Sequence, residues 1–145
     1  MESTLTVEDQ LNVRQLLARY PRLMDTRDAD GYVDAFAPDA VIEMETGTID
    51  QFREIRGHNE IRAMIEGLFT RGPGTPSRLR HMVGEPVIEP SEKGCRAHSY
   101  CVIFRVGSDS PSVASIGEYT DDCVKLDNGR WVFARRRMVF RPFLG

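Results

Sequence analysis

Apolar side chains in the first part of the chain recur at the spacing of a helix. Between residues 7 and 26 the apolar positions are Val13, Leu16, Leu17, Tyr20 and Met24, with arginines between them. This pattern predicts an amphipathic helix over residues 7–26. Pro21 lacks a backbone N–H and crowds the preceding turn, so a bend is expected between Leu17 and Pro21.

Two more helices and a strand pair are predicted before residue 73. Asp28 or Asp30 can cap a short helix that Pro38 stops. The segments AVIEMETG and TIDQFREIRG are typical of a strand pair with a turn around Gly47. The stretch GHNEIRAMIEGLFTRG then predicts a third helix, whose apolar face carries Ile61, Met64, Ile65, Leu68 and Phe69.

The second half of the chain alternates like strands. Turn compositions separate four runs, SRLRHMVGEPVIEP, KGCRAHSYCVIFRVG, SVASIGEYTDDCVKL and GRWVFARRRMVF. The runs are longer than the usual strand of about 5–6 residues, so a strongly curved sheet is expected, with bends or bulges at Gly84 and Gly117. The predicted fold class is α+β, in which three N-terminal helices pack into the concave side of a curved, mainly antiparallel sheet.

Length and charge narrow the possibilities. A chain of 145 residues fits one domain over residues 1–145. The net charge of -3 predicts neither nucleic acid nor an anionic membrane as a partner. The N-terminus MESTLTVEDQ has no signal-peptide pattern, and no segment approaches the roughly 20 apolar residues of a membrane span, so a cytoplasmic location is expected. The three cysteines are odd in number and form no CxxC, which disfavours a disulfide framework.

His81 is the first candidate for chemistry. Strand alternation places it on one face with Leu79 and Val83, the face expected to point inward. An imidazole there is either a satisfied core histidine or a base. The second interpretation gains weight if Asp25 and Tyr20, five residues apart near the end of the first helix, reach the same cavity. A carboxylate that fixes the tautomer of a histidine forms a general-base dyad.

Arg136 is the second candidate. Alternation in the last run places it on one face with Val132, Ala134, Met138 and Phe140, and places Trp131, Phe133, Arg135, Arg137 and Val139 on the other. The RRR segment is either a solvated edge that faces a subunit or the source of a guanidinium that pairs with Asp25 or holds a substrate oxygen. Alternation favours Arg136 over Arg137 as the inward one. The mixture of apolar residues and arginines on the opposite face predicts a homo-oligomer.

No metal or phosphate site is predicted. Cys95 and Cys101 share one face of a strand while His98 points away, so the three do not converge. His58 is expected to be an exposed first-turn residue. The chain contains neither a GxGxxG motif nor a GxSxG motif.

Several phrases together resemble the SnoaL-like branch of the nuclear transport factor 2-like superfamily. They are AFAPDA, RGHNEIRAMI and GEYTDDCVKLDNGRW, and the resemblance extends over about residues 7–140. It implies an α+β cone with a deep apolar pocket, no cofactor, and association as a homodimer or homotrimer. The superfamily contains isomerases, dehydratases, cyclases and proteins that only bind, so the residues must decide the function.

The residues favour the members that use an Asp–His pair. Ketosteroid isomerases have a catalytic carboxylate where this chain has Met44, although Tyr20 lies where they have a tyrosine. Bile acid 7α-dehydratases, scytalone dehydratases and hexachlorocyclohexane dehydrochlorinases have an Asp late in the first helix and a His on the third strand. Asp25 and His81 are similar to that pair, Tyr20 to the bile acid dehydratase tyrosine, and Arg136 or Arg137 to a cavity arginine.

The resulting hypothesis is a cofactor-independent lyase of the dehydratase type. Its substrate would be an apolar cyclic hydroxy compound, steroid or polyketide-like. His81 would act as the base, Asp25 would orient it, Tyr20 would bind the carbonyl oxygen or the leaving hydroxyl, and Arg136 would stabilise negative charge or anchor Asp25. The alternatives are a non-catalytic module that binds a small molecule or acts as a subunit, and an isomerase or cyclase.

Overall fold

The computed structural model describes residues 4–45, 52–71, 78–107 and 110–142. Three helices are present in these ranges, α1 (Val7–Asp25), α2 (Ala29–Asp34) and α3 (Gly57–Arg71). The strands are β1 (Phe36–Glu45), β2 (Phe52–Arg56), β3 (Leu79–Val83), β4 (Val87–Ser91), β5 (Gly94–Arg105), β6 (Ser112–Lys125) and β7 (Trp131–Pro142).

The strands form one seven-stranded sheet. Its order is β2-β1-β7-β6-β5-β3, and β4 pairs with β5 beyond the end of β3. Strand β1 is parallel to β7, whereas the other pairs are antiparallel. The prediction of an α+β fold with three helices and a mainly antiparallel sheet is confirmed.

The first strand-like run of the second half is two strands rather than one. Strand β3 pairs with residues 101–105 of β5, and β4 pairs with residues 94–98 of the same strand. The chain leaves the sheet between them at Gly84, where a bend was expected. The prediction of four long strands is therefore wrong, because the first run is two strands of 5 residues each, whereas β5, β6 and β7 have 12, 14 and 12 residues. The turn expected around Gly47 lies outside the described residues.

Asp9 connects the start of α1 to strands β6 and β7 of the sheet. Thr6 caps the helix and forms a capping box with Asp9. The Asp9 carboxylate also accepts hydrogen bonds from Trp131 Nε1 at 3.1 Å and from Lys125 Nζ at 3.0 Å. Because Asp9 links the helix cap to β6 and β7, it sets how α1 crosses the sheet.

At the start of β7, the residues that are buried differ from the predicted ones. Arg136 and Met138 are buried, as alternation indicates, but Trp131 and Phe133 are buried as well. The pairing with β6 shifts between Cys123↔Phe133 and Asp122↔Arg135. The bulge therefore returns Phe133 to the inner face. Placing Trp131 and Phe133 on an outer interface was wrong.

The outer face of the sheet carries other exposed apolar side chains. Met82 is 62% exposed, Tyr100 69% and Ile116 38%. They lie on the face opposite Val83, Cys101 and Gly117. The homo-oligomer stays a prediction that now depends on these residues. None of the helices in the described ranges combines the length and the apolar character needed to cross a bilayer.

The links made by Asp9 predict an acid-sensitive contribution to stability. Hydrogen bonds from Thr6, Lys125 and Trp131 lower the pKa of Asp9 from its ordinary value of 3.8. A carboxyl with a depressed pKa stabilises the folded state above its unfolded pKa and loses that contribution as the pH falls. Asp9→Asn should therefore lower the free energy of unfolding at pH 7, and its deficit should shrink as the pH falls below about 4.

Chemical denaturation of both proteins between pH 7 and pH 3 measures this difference. Glu8→Gln is the matched control, because Glu8 is an exposed residue in the same first turn. A deficit of Asp9→Asn that stays constant across this pH range would contradict the assigned contribution.

Candidate active site

The carboxylate of Asp25 and the imidazole of His81 are in direct contact. His81 Nδ1 lies 2.7 Å from Asp25 Oδ1, and the backbone N–H of His81 donates to Asp25 Oδ2 at 3.0 Å. Asp25 is the last residue of α1 and His81 is the central residue of β3. The structure thus brings together two predicted residues that are 56 positions apart.

The position of His81 on an edge strand explains the second of these hydrogen bonds. The N–H of Gly84 donates to the carbonyl of Tyr100 in β5, and the carbonyl of Arg78 accepts from Val106, the residue after β5. Alternation along an antiparallel strand therefore turns the N–H of His81 away from β5. Such a donor on a sheet edge needs another partner, and the Asp25 carboxylate supplies it. One carboxylate thus holds both the backbone and the ring of His81.

This geometry fixes what the imidazole can do. A carboxylate accepts a hydrogen bond from Nδ1–H, so the neutral ring carries its proton on Nδ1 and presents a lone pair at Nε2. No residue in the described part of the chain forms a hydrogen bond with Nε2. The side chains of His81 and Asp25 are 9% and 13% exposed, respectively. The pair can therefore accept a proton from a ligand.

The neighbour of His81 on the sheet is apolar and only partly buried. It is Ile103 of β5, the cross-strand partner of His81. Two clefts lined by described residues lie away from the dyad, one of about 300 Å³ beside Arg19 and Arg130 and one of about 260 Å³ beside His98 and Tyr100. The enclosed apolar pocket beside the dyad stays a prediction.

Tyr20 lies five residues before Asp25 on α1, and its side chain is buried. Its hydroxyl lies 3.1 Å from the hydroxyl of Tyr32 and 3.7 Å from Met138 Sδ. Burial raises the pKa of Tyr20, and the nearby Arg136 only partly opposes this effect. Tyr20 is therefore a neutral phenol that can donate a hydrogen bond.

Arg136 lies at the centre of the molecule and pairs with Asp121. Its Nε and Nη2 donate to the two oxygens of Asp121 at 2.7 and 2.9 Å, and both side chains are fully buried. The Arg136–Asp25 pairing proposed from the sequence is therefore wrong. Burial by itself would lower the pKa of Arg136, but Asp121 raises it above the ordinary value, so the guanidinium stays charged.

Aromatic rings surround this guanidinium. Arg136 Cζ lies 3.9 Å from the ring centroid of Tyr20, 4.0 Å from that of Tyr119 and 4.3 Å from that of Phe133. Such cation–π contacts partly replace the lost hydration of the cation. Nη1 is buried and has no hydrogen-bond partner in the described part of the chain. Arg136 thus connects α1, β6 and β7.

Arg137 lies on the outer face, as alternation predicts. Its Nε donates to Glu43 at 2.9 Å, and its guanidinium lies over the ring of Phe52. Arg135 makes an ion pair with the same glutamate. Neither arginine is on the inner face with the dyad.

The sequence interpretation missed Asp121, Tyr32 and Tyr119. The signal for two of them was available, because alternation in SIGEYTDDC places Gly117, Tyr119, Asp121 and Cys123 on one face. An acidic residue on an inner face requires a cation, and Arg136 was the inward cation already identified. Pattern alone does not indicate that Tyr32 meets Tyr20.

The cysteines and the remaining histidines do not form a metal site among the described residues. Cys95 and Cys101 are buried, whereas His98 is exposed on the other face. Cys95 lies opposite Cys123 across two strands, and all three thiols are free. His58 is half-buried rather than exposed, since its Nε2 lies 2.7 Å from the carbonyl of Phe36.

The architecture and the inner polar residues define a class of protein. The three helices on a curved, mostly antiparallel sheet form the NTF2-like, or cystatin-like, cone. The chain belongs to the SnoaL-like domain family, whose model matches residues 5–137. No curated protein matches the chain in sequence.

Solved structures with this fold include proteins from several organisms. A protein of unknown function from Nostoc punctiforme is 21% identical, with 98% of each chain covered and a TM-score of 0.80. A protein of unknown function from Mycobacterium tuberculosis is 23% identical, with 96% of this chain and 80% of that chain covered and a TM-score of 0.77. A protein from Catenulispora acidiphila in complex with S-DNPA is 22% identical, with 93% and 95% covered and a TM-score of 0.77. Identities this low show the fold alone.

The Asp25 contact predicts the tautomer of His81. In the neutral ring the proton should reside on Nδ1, with Nε2 unprotonated, because Asp25 accepts from Nδ1. Long-range ¹H–¹⁵N correlation spectra of protein with labelled histidine measure this directly. Exposed His98 serves as the internal reference, and a His81 ring protonated mainly on Nε2 would refute the assignment.

The buried ion pair predicts a large asymmetry between single and double substitutions. Asp121→Asn leaves a buried guanidinium without its counter-charge and should lower the free energy of unfolding by about 3–5 kcal/mol. Replacing both partners, as in Asp121→Asn with Arg136→Met, should recover part of that loss.

Urea denaturation measures both effects, with Arg137→Met as the control on the outer face. A double variant that is no more stable than Asp121→Asn alone would contradict this account of the pair.

Proposed function

We propose that the protein is a cofactor-independent lyase of the dehydratase type that acts on an apolar cyclic hydroxy compound. The observation that supports this proposal is the contact between Asp25 and His81, with Nδ1 bound at 2.7 Å. A core histidine needs only to satisfy its ring nitrogens. Here one nitrogen is held by a carboxylate, and no described residue hydrogen-bonds the other, as a general base requires.

The chemistry assigned to His81 is removal of a proton next to a carbonyl group. The Nε2 lone pair takes the proton, and the electrons of the C–H bond move toward the carbonyl oxygen. Their return forms a carbon–carbon double bond and breaks the bond to the neighbouring hydroxyl. The imidazolium then gives its proton to the departing hydroxide, so the products are an unsaturated ketone and water. Such a cycle needs no oxidant or reductant.

Asp25 acts by orientation and by charge. Its Oδ1 keeps the proton on Nδ1, while Oδ2 holds the backbone of the same residue at 3.0 Å. When His81 accepts a proton, the adjacent carboxylate stabilises the resulting imidazolium. The fixed ring then presents Nε2 in one direction.

Tyr20 is assigned to bind a ligand oxygen at the end of the ligand away from His81. Because burial keeps it a neutral phenol, its hydroxyl can donate a hydrogen bond to that oxygen. Arg136 acts through Tyr20 as a positioning residue, since its guanidinium lies against the Tyr20 ring and its charge strengthens the phenol as a donor. Asp121 in turn holds Arg136.

Two observations support an apolar small molecule as the ligand. Ile103, the cross-strand partner of His81, is apolar and partly accessible. A neighbour with the same fold was solved in complex with S-DNPA. A steroid or a polyketide-like ring compound combines an apolar ring surface with a hydroxy-ketone arrangement.

Turnover of a panel of cyclic β-hydroxy ketones, read by mass spectrometry as loss of water, tests the proposal. His81→Ala should reduce turnover by about 10²–10⁴-fold, the usual contribution of a general base. Asp25→Asn should give a loss of similar size with the fold retained, because the amide cannot stabilise the imidazolium. Circular dichroism and thermal unfolding check that both variants fold.

The matched control is His98→Ala, because His98 lies exposed on the other face of the sheet. Equal activity in wild type and His81→Ala would refute the dyad. Binding of panel compounds without any turnover would favour the alternative, a module that only binds.

A further inference from the structure

The ring of Phe140 lies directly over Gly117 on the inner face of the sheet. The two residues are cross-strand partners on β7 and β6. A Cβ added to Gly117 would come within 2.5 Å of Phe140 Cδ1. The ring also packs edge-on against Tyr119, with centroids 5.8 Å apart. Phe140 can adopt this position only because residue 117 has no side chain.

The strand register shows what Phe140 separates. Three rows of paired residues follow one another on the inner face, namely His81, Ile103 and Ser115, then Val83, Cys101, Gly117 and Phe140, then Ser99, Tyr119 and Met138. The dyad belongs to the first row. The Tyr20 hydroxyl contacts Met138 in the third row. Phe140 is therefore in the row between the base and the phenol.

The spacing of these rows is close to the size of a ring system. Two residues of strand span about 6.6 Å, so the first and third rows are about 13 Å apart along the strands. A single six-membered ring cannot span that length, whereas a fused polycyclic compound can. Such a compound must pass over Gly117, at the place that the Phe140 ring occupies.

A second observation indicates that the interior beyond Phe140 has unused hydrogen-bonding capacity. Nη1 of Arg136 is fully buried and has no partner in the described part of the chain. A buried donor left unpaired is costly, and a ligand oxygen near Tyr20 and Arg136 would relieve that cost.

We propose that Phe140, seated on Gly117, is the specificity-determining residue of this site. With the ring in place, the dyad is separated from the Tyr20 and Arg136 donors, and the site accepts compounds of one or two rings. A fused polycyclic ligand displaces the ring and places an oxygen at its far end beside Tyr20. The inference rests on the proposed function, because it takes the space beside His81 as the ligand site.

Binding of two fluorescent probes tests this without requiring turnover. The probes are 1-naphthol, with two fused rings, and 1-hydroxypyrene, with four. Phe140→Ala should tighten 1-hydroxypyrene by about tenfold or more, an effect of the size expected when a partly buried ring no longer blocks a ligand, and should change 1-naphthol by less than about threefold. Val139→Ala is the matched control, since Val139 is the adjacent residue on the opposite face.

A second variant examines the far donor. In the Phe140→Ala background, Tyr20→Phe should weaken 1-hydroxypyrene by about fivefold to tenfold, the loss expected from one hydrogen bond. If Phe140→Ala fails to fold, as judged by thermal unfolding, Phe140→Leu replaces it with the same expected direction.

The outcomes separate the two proposals. Equal changes for both probes, no change for either, or no measurable binding by wild type and variant would each overturn the role of Phe140. A shift in probe selectivity without dehydration of any panel compound would retain Phe140 and refute the lyase. Dehydration that depends on His81, with unchanged probe selectivity, would support the lyase and refute the role of Phe140.

Discussion

A guanidinium enclosed in the core is the constraint to which the rest of the molecule adapts. Removing Arg136 from water costs several kcal/mol in proteins, about as much as the whole stability of a small domain, unless a counter-charge and close packing offset it. Asp121 on the neighbouring strand supplies the charge, and three aromatic rings supply the packing. One of these rings belongs to Tyr20, so the cation also determines where α1 rests on the sheet. The position of Asp25 follows from that, because it lies on the same helix.

The Asp25 carboxylate combines a structural task with a chemical one. It satisfies an edge donor of β3 that the sheet leaves without a strand partner, and it orients the ring of the same residue. A water molecule could satisfy the backbone N–H equally well. The carboxylate therefore does more than sheet stability requires, because it also fixes the orientation of the imidazole. Under the proposed function, the structural and the catalytic demands meet in Asp25, which joins the end of α1 to the edge strand β3.

The sequence supported the fold more fully than the site. Period 3.6 in residues 7–26 and alternation in the second half located the helices and the long strands, because both patterns reflect which face is buried. The break between β3 and β4 and the bulge in β7 could not be read from alternation. Each changes the parity of the following residues, and only the partner strand fixes where the change occurs. Trp131 and Phe133 were misplaced for this reason.

In the candidate site, too, alternation predicted which way side chains point but not which residues they contact. Alternation was sufficient to turn Arg136 inward and Arg137 outward. The contact between Asp25 and His81 was suggested by a family resemblance, since no local rule connects the end of a helix to a strand 56 residues later. The partner of Arg136 was misassigned because two acidic residues were available and only one of them, Asp121, lies on the strand beside it. Packing of Tyr32 on Tyr20 depends on the crossing of α1 and α2, which periodicity does not specify.

The order of strands also has a consequence for how the chain folds. Strand β7 is the last described strand in sequence, yet it lies between β1 and β6 in the middle of the sheet. Its parallel pairing joins Ile42 to Arg136, across most of the chain. Contacts between such distant segments slow folding, because a long loop must close before they yield any stabilisation. During synthesis the β1 and β2 pair would remain apart from the rest of the sheet until β7 has emerged. The apolar face of that pair would stay uncovered by the rest of the sheet until then.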